Sequence, residues 1–161
     1  MFHNMDLALL RLLRTRGHHP LVELAVVRFS RLGDNAALWF TIAALGAVVH
    51  RRRRAVYLRA LRTVALTLVL NYGAKIGIRR ARPLIEDLPP LSPTLSTLSY
   101  PSAHASTSFA GARVLSDALP GPPLYAVAIA LAVSRPYLGI HYPSDVVAGA
   151  AFGSVIGGHA P

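Results

Sequence analysis

Residues 118–161 read ALPGPPLYAVAIALAVSRPYLGIHYPSDVVAGAAFGSVIGGHAP, and this stretch decides the fold class. Its 44 positions are mostly apolar or small, and their only charged side chains are Arg135 and Asp145, with His141 between them. Apolar runs on both sides of a short polar segment are typical of two helices joined by a turn. Ionisable groups within a membrane-embedded apolar segment are costly and usually functional. For these residues alone two interpretations stay open: a functional site, or an Arg–Asp pair that holds two helices together.

The composition of the whole chain favours a membrane protein. The 161 residues are 53% apolar and only 15% charged, whereas a soluble domain has about 25% charged residues. The absence of Cys excludes a disulfide scaffold and a cysteine zinc site. High hydrophobicity excludes a disordered chain. We therefore expect a single domain over 1–161, embedded in the cell (inner) membrane and crossing it several times.

The basic residues indicate an anionic partner. The net charge is +10, and the 17 basic residues comprise sixteen Arg and a single Lys, Lys75. Membrane lipids and a phosphorylated substrate both suit this balance. Nucleic acid is not expected as a partner, because the Arg residues lie between apolar runs and aromatic residues make up only 7% of the chain.

The apolar pattern predicts an all-α polytopic bundle of about five or six helices. Residues 5–31 are amphipathic with a break between Gly17 and Pro20, and two interpretations stay open for them: an interfacial segment, or a first membrane helix. Residues 55–78 would extend over about 36 Å, which is enough to cross a bilayer. Residues 79–100 are expected to form a loop, and 120–123 a tight turn. The other helices are expected at 36–49, from Pro101 to about 119, at 124–134 and at 143–157.

The charge distribution also predicts an orientation. Arg51 to Arg54 precede the helix that ends near Lys75, so the two groups should lie on opposite membrane faces. The positive-inside tendency places the four Arg residues in the cytoplasm. Lys75 and the turn at 135–145 would then lie on the outer, periplasmic face.

The spacing of three residues near the end of the chain suggests phosphoryl transfer to a histidine. Pro143 suits the first turn of a helix, so Asp145 would lie in that turn and His141 just before it. The carboxylate could then hold one imidazole nitrogen and leave the other free as a nucleophile. Arg135 could bring a bidentate anion clamp to the same place.

Two further groups have a functional and an ordinary interpretation. Ser102 is either a plain helix N-cap or part of a phosphate site at the positive end of a helix, and His104 is either a general acid or a solvent-facing side chain. Lys75 and Arg82 could converge on a substrate, or form a juxtamembrane cluster that binds lipid headgroups.

Together these residues resemble the three motifs of the type 2 phosphatidic acid phosphatase family, K-x6-R-P, P-S-G-H and S-R-x5-H-x3-D. Here they read Lys75-x6-Arg82-Pro83, Pro101-Ser102-Ala103-His104 and Ser134-Arg135-x5-His141-x3-Asp145. The one departure is Ala103 in place of the usual Gly, and its backbone N–H is retained. The resemblance implies a helical membrane fold with the catalytic core at 34–158 and the motifs at helix ends on one face.

The resemblance also implies a role for each motif residue. His141 would attack phosphorus and form a phosphohistidine, and Asp145 would orient it. His104 would protonate the leaving group and then activate water. No metal and no cofactor are expected. The phosphoryl oxygens would be held by Lys75, Arg82, Ser102, the Ala103 N–H and Arg135.

The expected function is a metal-independent membrane phosphatase that acts on a lipid-linked phosphate. The Arg- and Ala-rich composition suggests a GC-rich bacterial genome, where a polyprenyl carrier is a plausible substrate, as decaprenylphosphoryl-5-phosphoribose or as undecaprenyl or decaprenyl pyrophosphate. The alternatives are a phosphatidylglycerophosphate or phosphatidic acid phosphatase, a lipid phosphotransferase, and a non-catalytic lipid-binding membrane protein. The sequence predicts no particular oligomeric state.

Overall fold

The computed structural model describes residues 2–94 and 96–160, and over these residues the chain is all-α, as expected. It contains no strand there beyond an isolated bridge between Ala81 and Leu98. The single domain expected over 1–161 includes Met1, Leu95 and Pro161, which lie outside the described residues. Short 3-10 turns at Asp34–Ala36 and Arg51–Arg53 precede the third and fourth helices. The helices are α1 (Phe2–Thr15), α2 (Pro20–Arg31), α3 (Ala37–Val49), α4 (Arg54–Ile78), α5 (Ala103–Leu115), α6 (Gly121–Tyr137) and α7 (Pro143–Gly158).

The described residues thus form seven helices, so the prediction of five or six was too low. The amphipathic segment at 5–31 accounts for the difference, because it forms two separate helices. Gly17 adopts a left-handed conformation with φ of 73°, which few other residues tolerate. Pro20 then begins α2 at the helix position that proline favours.

The tight turn predicted at 120–123 was also wrong. Gly121, Pro122 and Pro123 form the first turn of α6, with Pro120 as the N-cap residue. Proline is tolerated there because the first backbone N–H groups of a helix have no intrahelical acceptor. The actual connection comes earlier, since α5 ends at Leu115 rather than near 119.

Helix α5 lies at the centre of the bundle and packs against α4, α6 and α7. Its contact with α7 is unusually close, because glycines face it at 149, 153 and 157. A Cβ atom at Gly153 would lie 2.0 Å from the Ser106 carbonyl oxygen. This backbone contact continues to the end of the bundle where the motifs lie, and there the Ser102 N–H donates to the Asp145 carbonyl oxygen at 3.0 Å.

The outer surface of the bundle is strongly apolar. Several large apolar residues are more than half exposed, namely Leu45, Val48, Val69, Val147 and Val155. Among the described residues no single helix combines the length and hydropathy of a membrane span. Helix α2 and Asp34–Val49 meet these criteria together, as a pair bent by 49°. The expected crossing by residues 55–78 therefore stays a prediction.

Candidate active site

A cavity of about 310 Å³ brings together residues from all three motifs. It opens between α4, α5, the segment at 31–36 and the loop residues at 92–94 and 96. Of the eight predicted site residues, six line it: Lys75, Arg82, Ala103, His104, Arg135 and His141. Ser102 and Asp145 lie behind the cavity wall and are fully buried.

The hydrogen bonds of His141 define its tautomer. The ring lies in the turn between α6 and α7 and is only 2% exposed. Its Nε2 lies 3.1 Å from Arg82 Nη1. A guanidinium can only donate, so Nε2 is the acceptor and the ring proton resides on Nδ1. Nδ1 in turn lies 3.5 Å from Asp145 Oδ2 and 3.4 Å from Ser99 Oγ.

The surroundings of His141 also keep its ring neutral. Burial is the main cause that lowers the pKa of His141, to about 3, and the positive charges of Arg82, Arg135 and Lys75 act in the same direction. The hydrogen bond with Asp145 opposes this shift without cancelling it. A neutral imidazole with an unprotonated Nε2 at a cavity wall has the protonation state that a nucleophile requires.

Asp145 is fixed from several directions. It lies in the first turn of α7, and its Oδ2 accepts from the backbone N–H of Tyr142 at 2.9 Å and from the Ser99 hydroxyl. Its Oδ1 accepts from Arg80 Nη1 at 2.8 Å. Asp145 was predicted from the sequence, whereas its partners Ser99 and Arg80, which both lie between α4 and α5, were not.

The cationic groups are held mainly by neutral oxygen atoms, so their charges remain available to an anion. Lys75 Nζ donates to the carbonyl oxygen of Ser99 at 3.0 Å. Arg82 donates to the carbonyl oxygens of Ser96 at 2.8 Å and Ile140 at 2.6 Å. Lys75 is only 4% exposed, which does not fit a surface cluster that binds headgroups.

Arg135, in the last turn of α6, also lines the cavity and is also paired with a neutral group. Its Nη1 donates to Ser30 Oγ at 2.7 Å, and its Nε is buried without a hydrogen-bond partner. Arg31 adds a fourth cation to the cavity lining, and among the described residues that line it Asp34 is the single acidic one. Such an excess of positive charge in a concave, partly dehydrated site favours a phosphate group.

Two residues at the start of α5 differ in their relation to the cavity. Ser102 has the ordinary N-cap geometry, in which its Oγ accepts from the Ala105 N–H at 3.5 Å. Ala103 follows it and lines the cavity. Ala103 is therefore the residue through which the positive end of α5 meets the cavity.

His104 is buried rather than solvent-facing. Its Nε2 lies 3.0 Å from the Ser30 carbonyl oxygen and 3.4 Å from Asp34 Oδ1. Gly33 packs against the ring so closely that a Cβ atom there would lie 2.5 Å from His104 Cδ2. Asp34 was not predicted as a site residue, because its interaction with His104 spans 70 positions of the sequence.

No group of three or more His, Cys, Asp or Glu side chains among the described residues could hold a metal ion.

Known structures share this fold. The crystal structure of Aquifex aeolicus LpxE superposes with a TM-score of 0.81 and 27% sequence identity, over 95% of this chain and 92% of that chain. The transmembrane PAP2-type phosphatidylglycerolphosphate phosphatase from Bacillus subtilis gives a TM-score of 0.76 and covers 96% of this chain and 82% of its own. At 24% identity this second similarity shows the fold alone. The class is thus a helical bundle of the kind found in PAP2-type phosphatases.

Sequence comparison identifies the family. The model of the PAP2 superfamily matches residues 56–160. A decaprenylphosphoryl-5-phosphoribose phosphatase from Mycobacterium tuberculosis (strain CDC 1551 / Oshkosh) is 37% identical over 132 residues, which cover 80% of this chain and 72% of the relative. The chain belongs to the PAP2 superfamily, and the resemblance inferred from its three motifs is confirmed.

Proposed function

We propose that this chain is an integral membrane phosphatase that hydrolyses a lipid-linked phosphate through a phosphohistidine at His141. The observation that carries the proposal is the unprotonated Nε2 of His141, which faces a cavity lined by Lys75, Arg82 and Arg135. Membership of a phosphatase family supports the reaction class. The name of the mycobacterial relative favours a polyprenyl-linked substrate, with decaprenylphosphoryl-5-phosphoribose first and undecaprenyl or decaprenyl pyrophosphate next.

The chemistry proceeds in two displacements at phosphorus. In the first, the Nε2 lone pair of His141 forms a bond to phosphorus and the bond to the leaving oxygen breaks. The leaving oxygen takes up a proton from His104, which requires that ring to carry a second proton on Nδ1, because its Nε2 proton is donated to the Ser30 carbonyl oxygen. In the second, His104 accepts a proton from water, whose oxygen attacks phosphorus and breaks the bond to His141. Asp145 orients the imidazole and stabilises the charge that it acquires. Neither step requires a metal or a cofactor.

The cations stabilise the negative charge that develops on the phosphoryl oxygens. Three side chains contribute positive charge: Lys75, Arg82 and Arg135. Ala103 contributes its backbone N–H, and Ser102 fixes the start of α5. Because Arg82 donates to the nucleophilic nitrogen, it must transfer that hydrogen bond to the phosphoryl group before the attack.

The cavity wall suits an amphiphilic substrate. Its lining includes two largely apolar residues of α4, Leu68 and Tyr72, together with the polar residues Arg31, Asn35 and Thr94. A prenyl chain with a phosphorylated head fits this mixture, since its two parts differ in polarity in the same way. The proposed location is the cell (inner) membrane, with the cavity on the periplasmic face, because Arg51–Arg53 and Lys75 lie at opposite ends of α4.

Phosphate release by the purified chain in detergent tests this proposal. The panel consists of polyprenyl and glycerolipid phosphates in excess EDTA, with His141→Ala, His104→Ala and the exposed control His159→Ala. We expect release from a polyprenyl-linked substrate by the wild type and by His159→Ala, and none by His141→Ala. Release that survives His141→Ala would contradict the nucleophile, and release that EDTA abolishes would contradict metal independence.

Product analysis separates the alternatives. Faster release from phosphatidylglycerophosphate or phosphatidic acid would replace the proposed substrate class. A phosphorylated acceptor in place of free phosphate would indicate a lipid phosphotransferase. Binding of every lipid without any turnover would indicate a lipid-binding protein.

The proposed orientation has its own test, because the chain contains no Cys. Arg53→Cys and Pro90→Cys place thiols at two exposed positions at opposite ends of the bundle. An impermeant thiol reagent applied to intact cells should label Pro90→Cys and leave Arg53→Cys unlabelled. The reverse pattern would place the cavity in the cytoplasm.

A further inference from the structure

Helix α1 directs its only acidic side chain into the protein. Asp6 is 7% exposed, whereas Met5 and Leu9 beside it are about half exposed. The Asp6 carboxylate accepts from the backbone N–H of Ser144 at 3.0 Å and from the Ser144 hydroxyl. Asp6 therefore binds the first turn of α7, one residue before Asp145.

Arg80 joins Asp6 to Asp145. Its Nη2 donates to Asp6 Oδ2 at 2.8 Å, and its Nη1 donates to Asp145 Oδ1 at 2.8 Å and to Ser144 Oγ at 2.7 Å. The guanidinium also lies over the Tyr142 ring, 4.0 Å from its centroid. The planar group is thus held on both edges and on one face, a geometry that a lysine could not reproduce.

The two carboxylate oxygens of Asp145 have different partners. Arg80 occupies Oδ1, and Oδ2 is the oxygen that lies near His141 Nδ1. A partial rotation of the carboxylate about its χ2 angle would move Oδ2 away from His141 Nδ1 and misalign the imidazole. Because Arg80 is fixed by Asp6, a residue of α1 sets the orientation of a group in the active site.

We infer that Asp6 and Arg80 form a positioning pair for Asp145, which makes α1 a part of the catalytic apparatus. Neither residue lines the cavity, and α1 precedes the segment matched by the family model, which begins at residue 56. The inference rests on the proposed function of His141 and Asp145. The pair acts on the step that Asp145 assists, so it affects kcat and leaves substrate binding largely unchanged.

Kinetics of Asp6→Asn and Arg80→Gln, measured with the full chain in detergent, test the inference. Outer partners of active-site groups contribute about 10- to 100-fold to activity in metal sites, and we expect a decrease of that order in kcat with KM changed by less than about twofold. The matched control is Asp87→Asn, which removes an exposed ion pair between α1 and the loop, Arg11–Asp87 at 3.3 Å. This control should retain the wild-type kcat.

Double variants distinguish positioning from a general role in stability. If Asp6 acts through Arg80, then Asp6→Asn added to Arg80→Gln should cause little further loss. Likewise, Arg80→Gln should have little effect in an Asp145→Asn background. Multiplicative losses in these double variants, or a loss of kcat in Asp87→Asn equal to that in Asp6→Asn, would overturn the inference. His141→Ala in the same assay reports on the proposed function separately, because activity in that variant would contradict the nucleophile whatever Asp6 does.

Discussion

Removal of His104 should impair the first displacement mainly for substrates with a poor leaving group. A general acid contributes about 10²- to 10⁴-fold to the rate when the departing oxygen must be protonated. A lipid alcohol is such a group, whereas p-nitrophenolate leaves readily without a proton. His104→Ala should therefore slow the first displacement by that factor for the lipid phosphate and by less than about tenfold for p-nitrophenyl phosphate.

The same reasoning gives a smaller, graded effect for Asp34. Its carboxylate lies 3.4 Å from His104 Nε2 and is 49% exposed. An ion pair with that exposure contributes about 1 kcal/mol or less, which is about fivefold in rate. Asp34→Asn should thus reduce the lipid reaction by about fivefold or less and leave the aryl phosphate reaction unchanged.

The assay must isolate the first displacement, because His104 is also proposed to activate water in the second. Rapid-quench measurement of the alcohol released in the first turnover does so for both substrates. Asp117→Asn, at an exposed carboxylate that pairs with Arg59, is the control. If His104→Ala slowed the release of p-nitrophenol as strongly as the release of the lipid alcohol, the assignment of His104 as the acid would be refuted.

Three further predictions follow from the packing and the charges. Gly33→Ala should reproduce the leaving-group-dependent defect of His104→Ala, because the added Cβ would lie 2.5 Å from His104 Cδ2 and displace the imidazole. Equal losses of rate for the lipid phosphate and the aryl phosphate would contradict this. The free energy of unfolding should decrease by up to about 1.4 kcal/mol per pH unit as the pH falls below 6.5, because the lowered pKa of His141 means that the unfolded state binds more protons. Thermal unfolding measured at pH 7, 6 and 5 should show a smaller decrease in stability for His141→Gln than for the wild type. An identical decrease in stability would refute the lowered pKa of His141. Gly153→Ala should destabilise the protein by about 1–3 kcal/mol through its contact with α5, whereas Gly73→Ala, with nothing within 4 Å of its Cβ, should be neutral or stabilising.

The sequence was most informative where interacting residues are close along the chain. His141 and Asp145 are four positions apart, so one turn and the start of a helix determine their contact. The helix ends near Lys75, at Ser102 and at Pro143 were likewise predictable from proline, capping residues and apolar runs. These local signals place the motif residues at or near helix ends, and six of the eight predicted site residues line the cavity.

The contacts that the sequence could not predict join distant segments. Ser99 and Arg80 reach Asp145 across 46 and 65 positions, and Asp6 reaches Ser144 across 138. Such contacts depend on how the loop at 79–100 and helix α1 pack on the bundle, which periodicity does not specify. One signal was present in α1, whose single acidic residue lies among apolar and basic neighbours.

Trapping the phosphoenzyme and mapping its phosphoryl group tests directly whether His141 is the nucleophile. The chain is mixed with a ³²P-labelled lipid phosphate, quenched in base, where phosphohistidine is stable, and analysed by peptide mass spectrometry. We expect label on the peptide that contains His141, none in His141→Ala, and more in His104→Ala when the aryl phosphate is the donor. Turnover without a covalent phosphate at His141, or label at another residue, would contradict it.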